Sequence, residues 1–307
     1  MTTTTTPAVA APIAAATASS RQRAGGIAAL VGGSASNQVG AAAGAHAFPV
    51  IGAVGVVAIR QLTTAAVLVP LVRPRLRALT RAQWGPVLGL VAVFSVMNLS
   101  LYLAVDRIGL ALAVTLEFLG PLTVALLGSR RRMDLACALL AAAGVVVMTR
   151  PGPTTDLLGV ALGLTAAAAW ACYILLNRSV GQRLPGLEGT AAASLVTALV
   201  WLPVAAVWFV LHPPTPSALL LAVTCGVLSS VVPYVADLVA LRRVPAQLFG
   251  TLSSVSPVWA ALAGWLLLGQ ALEVHEWLGM ALILASNSVV SVAGRPGVRR
   301  GGGTIGA

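Results

Sequence analysis

Between residues 26 and 293 the chain is a succession of apolar runs, each parted from the next by a short connection rich in Arg, Pro or Gly. A helical residue advances ~1.5 Å, so crossing an apolar layer ~30 Å thick takes about 20 residues, and a helix satisfies its own backbone there. Ten runs meet that length approximately: 26–45, 50–71, 84–104, 108–128, 133–149, 157–177, 189–211, 217–241, 245–268 and 274–293. The connections leave no room for a soluble domain. The pattern predicts an all-α polytopic membrane protein, and 58% hydrophobic against 9% charged residues agrees with it. The first run is the weakest, because GGSASNQVGAAAGA is small and polar, which suits a helix packed against others or lining a cavity. The Thr/Ala/Pro-rich stretch 1–25 and the Gly/Arg stretch 294–307 read as disordered tails. Arg21 and Arg23 stand directly before the first run with no hydrophobic segment ahead of them, which argues against a cleaved signal.

The 19 basic residues are all arginine, and their placement sets an orientation. Arg73, Arg75, Arg77 and Arg81, then Arg130 to Arg132, Arg178 and Arg183, and Arg242 and Arg243 follow the even-numbered runs. Arg21, Arg23, Arg295, Arg299 and Arg300 occupy the tails, whereas the loops after odd-numbered runs hold only Arg107 and Arg150. The positive-inside rule therefore predicts cytoplasmic termini. Clusters scattered between apolar runs do not make a nucleic-acid surface. His46, His212 and His275 fall in outer loops as solvated side chains, and Cys137, Cys172 and Cys225 read as buried packing residues with no metal spacing.

One carboxylate contradicts its surroundings. Glu117 lies in VTLEFLGPL, ~14 Å from the Ile108 end of the fourth run and thus near the midplane. An ionisable group at that depth costs several kcal/mol unless it faces a cavity or a partner, and so marks a functional site. Arg60 enters the second run, which crosses in the same sense, at similar depth. A guanidinium and a carboxylate together could hold the two ends of a zwitterion, or could pair with each other as a structural bridge. Asn37, Gln38, Asn98, Phe118, Trp170, Tyr173 and Tyr234 are candidates to line a cavity, with helix-to-helix packing as the plainer alternative. Asp237, close to Arg242 and Arg243, is either an interfacial ion pair or a gate or proton relay. Pro121, Pro233 and Pro257 interrupt helical hydrogen bonding in the fourth, eighth and ninth runs.

An internal repeat is visible at an offset of 136: Arg107, Ile108, Gly120 and Pro121 fall on Arg243, Val244, Ser256 and Pro257. Five crossings are odd in number, so two copies, 26–150 and 151–293, run in opposite senses. This is the inverted-repeat plan of secondary transporters, with the site near the midplane between halves.

The runs LEFLGPLTVALLGSRRRMDLACALLAAAGVVVM, SNQVGAAAGAHAFP, IRQLTTAAVL and PYVADLVALRRVPAQLFGTLSSVSPVWAALAGWLLLGQ, with AAAAWACYIL around Trp170 and Tyr173, resemble the EamA-type drug/metabolite transporter superfamily. The resemblance is nearest to its threonine/homoserine exporter branch, in which a Glu commonly stands where this sequence has Asp237. It implies two inverted five-helix EamA repeats in a cell membrane exporting amino acids or related metabolites, driven by exchange with protons, with no bound cofactor. The bilayer and a small molecule are then the partners, and a homodimer stays open.

Other classes fit less well. The chain has no lysine, so it contains no G-x-x-x-x-G-K-[ST] loop with which to drive transport by ATP. It carries neither G-x-S-x-G nor H-x-x-x-H, which leaves an intramembrane enzyme without its usual nucleophile or metal pair. A broad-specificity drug or cation efflux protein remains as the rival transporter, since Glu117 alone would suit cations while Arg60 argues for zwitterions or anions. A scaffold or sensor that does not transport is the rival of another kind.

Overall fold

The computed structural model describes residues 20–127, 132–150, 152, 155–181, 183, 184, 188–241, 243 and 255–293, and among these residues it is helical with no strand. Helix α1 spans Ser20–His46, α2 Phe48–Val72, α3 Arg81–Ile108, α4 Leu110–Glu117, α5 Leu119–Leu127 and α6 Arg132–Thr149. Then follow α7 Leu157–Gly181, α8 Glu188–Leu211, α9 Pro216–Gly226, a π-helical turn Val227–Val231, α10 Val232–Leu241, α11 Ser256–Leu268 and α12 Val274–Ala293. Helices α2, α3, α7 and α8, and the segment from Pro216 to Ala236, are long and apolar enough to cross a membrane; α1 does not reach that standard, as its small and polar residues foretold.

Local chemistry explains the helix ends. Thr80 and Gln83 form a capping box at the start of α3, and Thr215 accepts from the Ala218 N–H ahead of Pro216. Asp156 Oδ1 accepts from the Gly159 N–H at 2.8 Å and so caps α7. Gly109, at φ +82°, lets the chain turn between α3 and α4, while the Leu110 N–H exposed by the turn donates to Gln270 Oε1 at 2.9 Å.

Among the described residues, Gly52 of α2 departs from helical geometry at φ +64°, and two of the expected spans are broken beside a proline. The fourth divides at Phe118, between α4 and α5. Pro121 has no N–H to offer the carbonyl of Glu117 four residues earlier, so that bond is missing here, although Pro203 lacks the same donor in the middle of α8 without dividing it. In the eighth, the Val232 N–H reaches back five residues to Val227, the π register, immediately before Pro233. Pro257 behaves otherwise: it stands in the first turn of α11, where its missing N–H costs nothing.

The helices pack through small residues. A methyl built on Gly144 of α6 would lie 2.9 Å from the Gly279 carbonyl oxygen of α12, so these two backbones are nearly in contact. Ile51, Val56 and Val57 of α2 pack with Tyr102, Trp201 and Cys225, and Val114 and Phe118 pack with Ala260 and Ala263 of α11. Outward-facing Leu199, Val200, Leu202, Val207 and Val210 of α8 are exposed, the surface expected of a helix against lipid.

Several sequence readings are corrected. Helix α1 begins at Ser20, ahead of the expected boundary, and so takes in part of the stretch read as a tail. Cys137 and Cys225 are buried, but Cys172 is exposed, because α7 turns that position outward. His46 and His275 lie in terminal helical turns and not in loops; His46 Nε2 is 2.8 Å from the Leu267 carbonyl oxygen, and His275 Nδ1 is 3.2 Å from Glu273.

Candidate functional site

The broken helices face one cavity of about 640 Å³, within the ~300–1,000 Å³ usual for small-molecule sites. Helix α1 contributes Ser34, Asn37, Gln38 and Ala41, spaced as one helical stripe, which accounts for the polar character of that run. Arg60 comes from α2 and Glu117 from the last turn of α4, and both line the same space. The walls of this cavity also include Asn37, Gln38, Asn98, Phe118, Trp170, Tyr173 and Tyr234. Pro121 and Pro233 also line it. The side chain of Asp237, on α10, lies outside the described residues.

Arg60 does not bridge to Glu117. Among the described residues the ion pairs within 4.0 Å are Arg107 with Asp156 and His275 with Glu273. Arg60 instead donates from Nη2 to the Ser229 carbonyl oxygen at 3.1 Å and from Nε to Ser230 Oγ at 3.1 Å, with its guanidinium carbon 5.3 Å from the Tyr102 ring centroid. The open Ser229 carbonyl follows from Pro233. A residue with an N–H there would donate to Ser229 in the α register or to Leu228 in the π register; proline leaves both carbonyls open. Arg60 takes the first, and Ser36 Oγ of α1 takes the second at 2.9 Å. Ser229 Oγ completes the junction by donating to the Asn37 carbonyl oxygen at 2.7 Å. A guanidinium has five donors, so two spent on the π turn leave others for a ligand.

Glu117 is buried at 9% exposure at the cavity wall, in a helix whose other residues are apolar or hydroxyl-bearing. Nearby, Phe118 and Trp170 meet edge to face at 4.7 Å, and Phe94 lies 5.6 Å from Tyr173. Two of the cavity amides brace backbone: Asn98 Nδ2 donates to Phe94 at 2.7 Å, and Asn287 Nδ2 donates to Phe118 at 3.4 Å, while Asn177 Nδ2 donates to the Tyr173 hydroxyl at 3.4 Å. Opposite charges held apart in a largely apolar cavity can each engage one end of a dipolar ligand. Ser229, Ser230, Tyr102 and Asn287 were not singled out from sequence. The paired serines upstream of Pro233 were the available signal, since hydroxyls commonly re-satisfy backbone freed by a membrane proline.

These features define a multi-pass helical membrane protein built round an internal ligand-sized cavity that holds both signs of charge. The chain belongs to the EamA-like transporter family, whose model matches residues 157–292. It is 34% identical to the threonine/homoserine exporter RhtA of Salmonella typhimurium, over 86% of this chain and 91% of that one. It is 35% identical to RhtA of Escherichia coli, over 82% and 86% respectively. A crystal structure at 21% identity covers 90% of this chain and 98% of its own, with a TM-score of 0.57, a likeness of fold.

Proposed function

We propose that this chain is a secondary exporter of small zwitterions, amino acids such as threonine and homoserine foremost, coupled to proton entry. The observation that carries the reading is the placing of Arg60 and Glu117 on one cavity without an ion pair between them. A substrate carboxylate then meets the unspent guanidinium donors, and its ammonium meets Glu117, so neither protein charge is left buried against a like charge. The exporters to which the chain is similar point to the same substrates. Glu117 carries the proton: it loses it toward the cytoplasm, holds the ammonium as a carboxylate, and is reprotonated from outside as the substrate leaves.

The transport cycle rests on ten spans in two inverted halves with both termini cytoplasmic. Packing supports the halves: α3 lies on α7 as α1 lies on α9 and α10, and α4 and α5 lie on α7 as α11 lies on α1. The pairs α2 with α8 and α6 with α12 map onto themselves under the same exchange. Helix α5 begins at Leu119 and α11 at Ser256, one residue from the 136-residue offset. Rocking of one half against the other, about the proline-broken helices, would expose the site alternately.

A second reading, efflux of lipophilic cations, is favoured by the edge-to-face Phe118 and Trp170 beside a carboxylate. Counterflow in proteoliposomes separates them. Labelled threonine should accumulate against preloaded threonine and homoserine, and a quaternary ammonium dye should not compete. Accumulation of the dye alone would transfer the assignment to cation efflux, and accumulation of neither would leave a scaffold or sensor.

A further inference from the structure

Gln38 differs from Asn98, Asn177 and Asn287, cavity amides whose nitrogens are hydrogen-bonded. It lies on the polar stripe of α1, is only 2% exposed and lines the cavity, yet its Oε1 is enclosed and has no hydrogen-bond partner. By contrast, Asn98 and Asn287 donate to backbone carbonyls of their surroundings. Native interiors rarely leave a buried amide oxygen unmatched, and the exceptions call for an explanation in ligand or mechanism. Packing does not require an amide here, since a leucine or methionine fills comparable space.

We infer that Gln38 is a specificity-determining residue that reads the side-chain hydroxyl of the transported amino acid. The inference rests on the exporter reading above and deepens it. Arg60 and Glu117 deal with the carboxylate and the ammonium common to all amino acids, so they cannot select among side chains. Selection needs a third polar group on the same cavity that the protein does not itself use, and Gln38 is such a group. A terminal amide turns about a broad torsion, which exchanges its oxygen and nitrogen. A hydroxyl both donates and accepts, so it can pair with either face of that amide, whereas a methyl can pair with neither. Discrimination arises chiefly by penalty: a substrate with a methyl in the same place leaves the amide buried and unpaired.

The test is counterflow of labelled threonine by the full-length protein in proteoliposomes, with unlabelled valine and norvaline as competitors, the methyl counterparts of threonine and homoserine. Wild type should take threonine at least about tenfold better than valine, and homoserine similarly better than norvaline. In Gln38→Leu the hydroxyl advantage should fall to about twofold or less, through weaker threonine and homoserine with valine kept or improved. Gln38→Met, close in length and unbranched, repeats the comparison should the leucine variant fail to insert. A variant that slows hydroxyl and methyl substrates equally would overturn the inference and make Gln38 a packing residue, and a wild type without preference would overturn it too. Failure of the exporter reading looks different, because then the wild type moves none of the four.

Discussion

Arg60 donates to the carbonyl oxygen of Ser229, an oxygen left open because Pro233, four residues further along, has no N–H. A cation on α2 is thereby fastened to the discontinuity of the α9–α10 span, at the seam between the two sequence halves. In the exporter proposed above, rearrangement of that span would be felt at once by the guanidinium, and the contact would link substrate engagement to motion.

Restoring the donor tests that link. In Pro233→Ala the new N–H competes with Arg60 for Ser229, and the helix gains a bond. The thermal midpoint should stay level or rise while counterflow slows by roughly tenfold, since a helix-interior proline is a source of discontinuity. A variant that transports at the wild-type rate would show that the break has no part in the cycle.

Arg60→Leu should insert and keep its fold yet lose transport, because the substrate carboxylate then has no cation and the Ser229 carbonyl loses its partner, at a cost of about 1–3 kcal/mol. Lysine has three donors on a compact head and cannot reproduce the fork to Ser229 and Ser230, so Arg60→Lys should retain only a small fraction of activity. Arg75→Leu, at the exposed α2–α3 connection, serves as the control and should alter orientation at most. Normal export by Arg60→Leu would favour the cation-efflux reading.

Glu117→Gln keeps size and hydrogen bonding but cannot carry a proton. Vesicles with an imposed pH gradient should show efflux by the wild type and none by this variant, at matched protein levels, while exchange without a gradient partly survives. Glu117→Asp should retain intermediate gradient-driven efflux. Gradient dependence unchanged in Glu117→Gln would reassign the residue to structure and turn attention to Asp237.

The arginine asymmetry predicts orientation. Reporter fusions at Arg77, Arg131 and the C-terminus should report cytoplasm, and fusions near His46, Thr155 and Glu273 should report the opposite side. A C-terminal reporter on the outside would remove the ten-span arrangement and the inverted halves together.

At the α6–α7 connection, the Gly159 N–H and then the Arg107 guanidinium hold the Asp156 carboxyl below its ordinary range. A carboxyl depressed in the folded state adds stability that is complete above its unfolded value of ~3.9 and is lost as pH falls through the lower folded value. Asp156→Ala should therefore melt about a few degrees lower than wild type at pH 5 to 8, with the difference closing only below ~3.9. A gap that closed already at pH 6 would contradict this origin. Partial exposure of the pair, 43% and 33%, keeps the effect small.

The candidate site was legible in sequence wherever a property of the local chain decided it. Glu117 and Arg60 stood out because charge in hydrocarbon is costly wherever the helix goes, and Asn37, Gln38, Asn98, Trp170, Tyr173 and Tyr234 because a polar or amphipathic side chain in a span needs water or a partner, a reason that does not extend to Phe118. Pro121 and Pro233 marked places where a helical donor is missing, but Pro203 lacks the same N–H in the middle of the undivided α8, so which proline breaks its helix was not legible. The Arg60 partners were not legible, nor was the contrast between Gln38 and its satisfied neighbours.

Those depend on how helices far apart in the chain are rotated and slid against one another. Arg60 and Ser229 are 169 residues apart, and the contact exists because α1, α2 and α9–α10 meet through small residues, such as Gly40 of α1, where an added methyl would lie 2.5 Å from Ser229 Oγ. Hydropathy and proline positions state that a helix crosses and where it lacks a donor. They carry no information about azimuth, and in lipid, where every outward face is equally apolar, only close packing chooses it. The sequence by itself thus determined a membrane protein of successive apolar spans with two charges inside them; the tertiary structure decided which prolines break a helix, that those charges stand apart and which carbonyls receive the arginine.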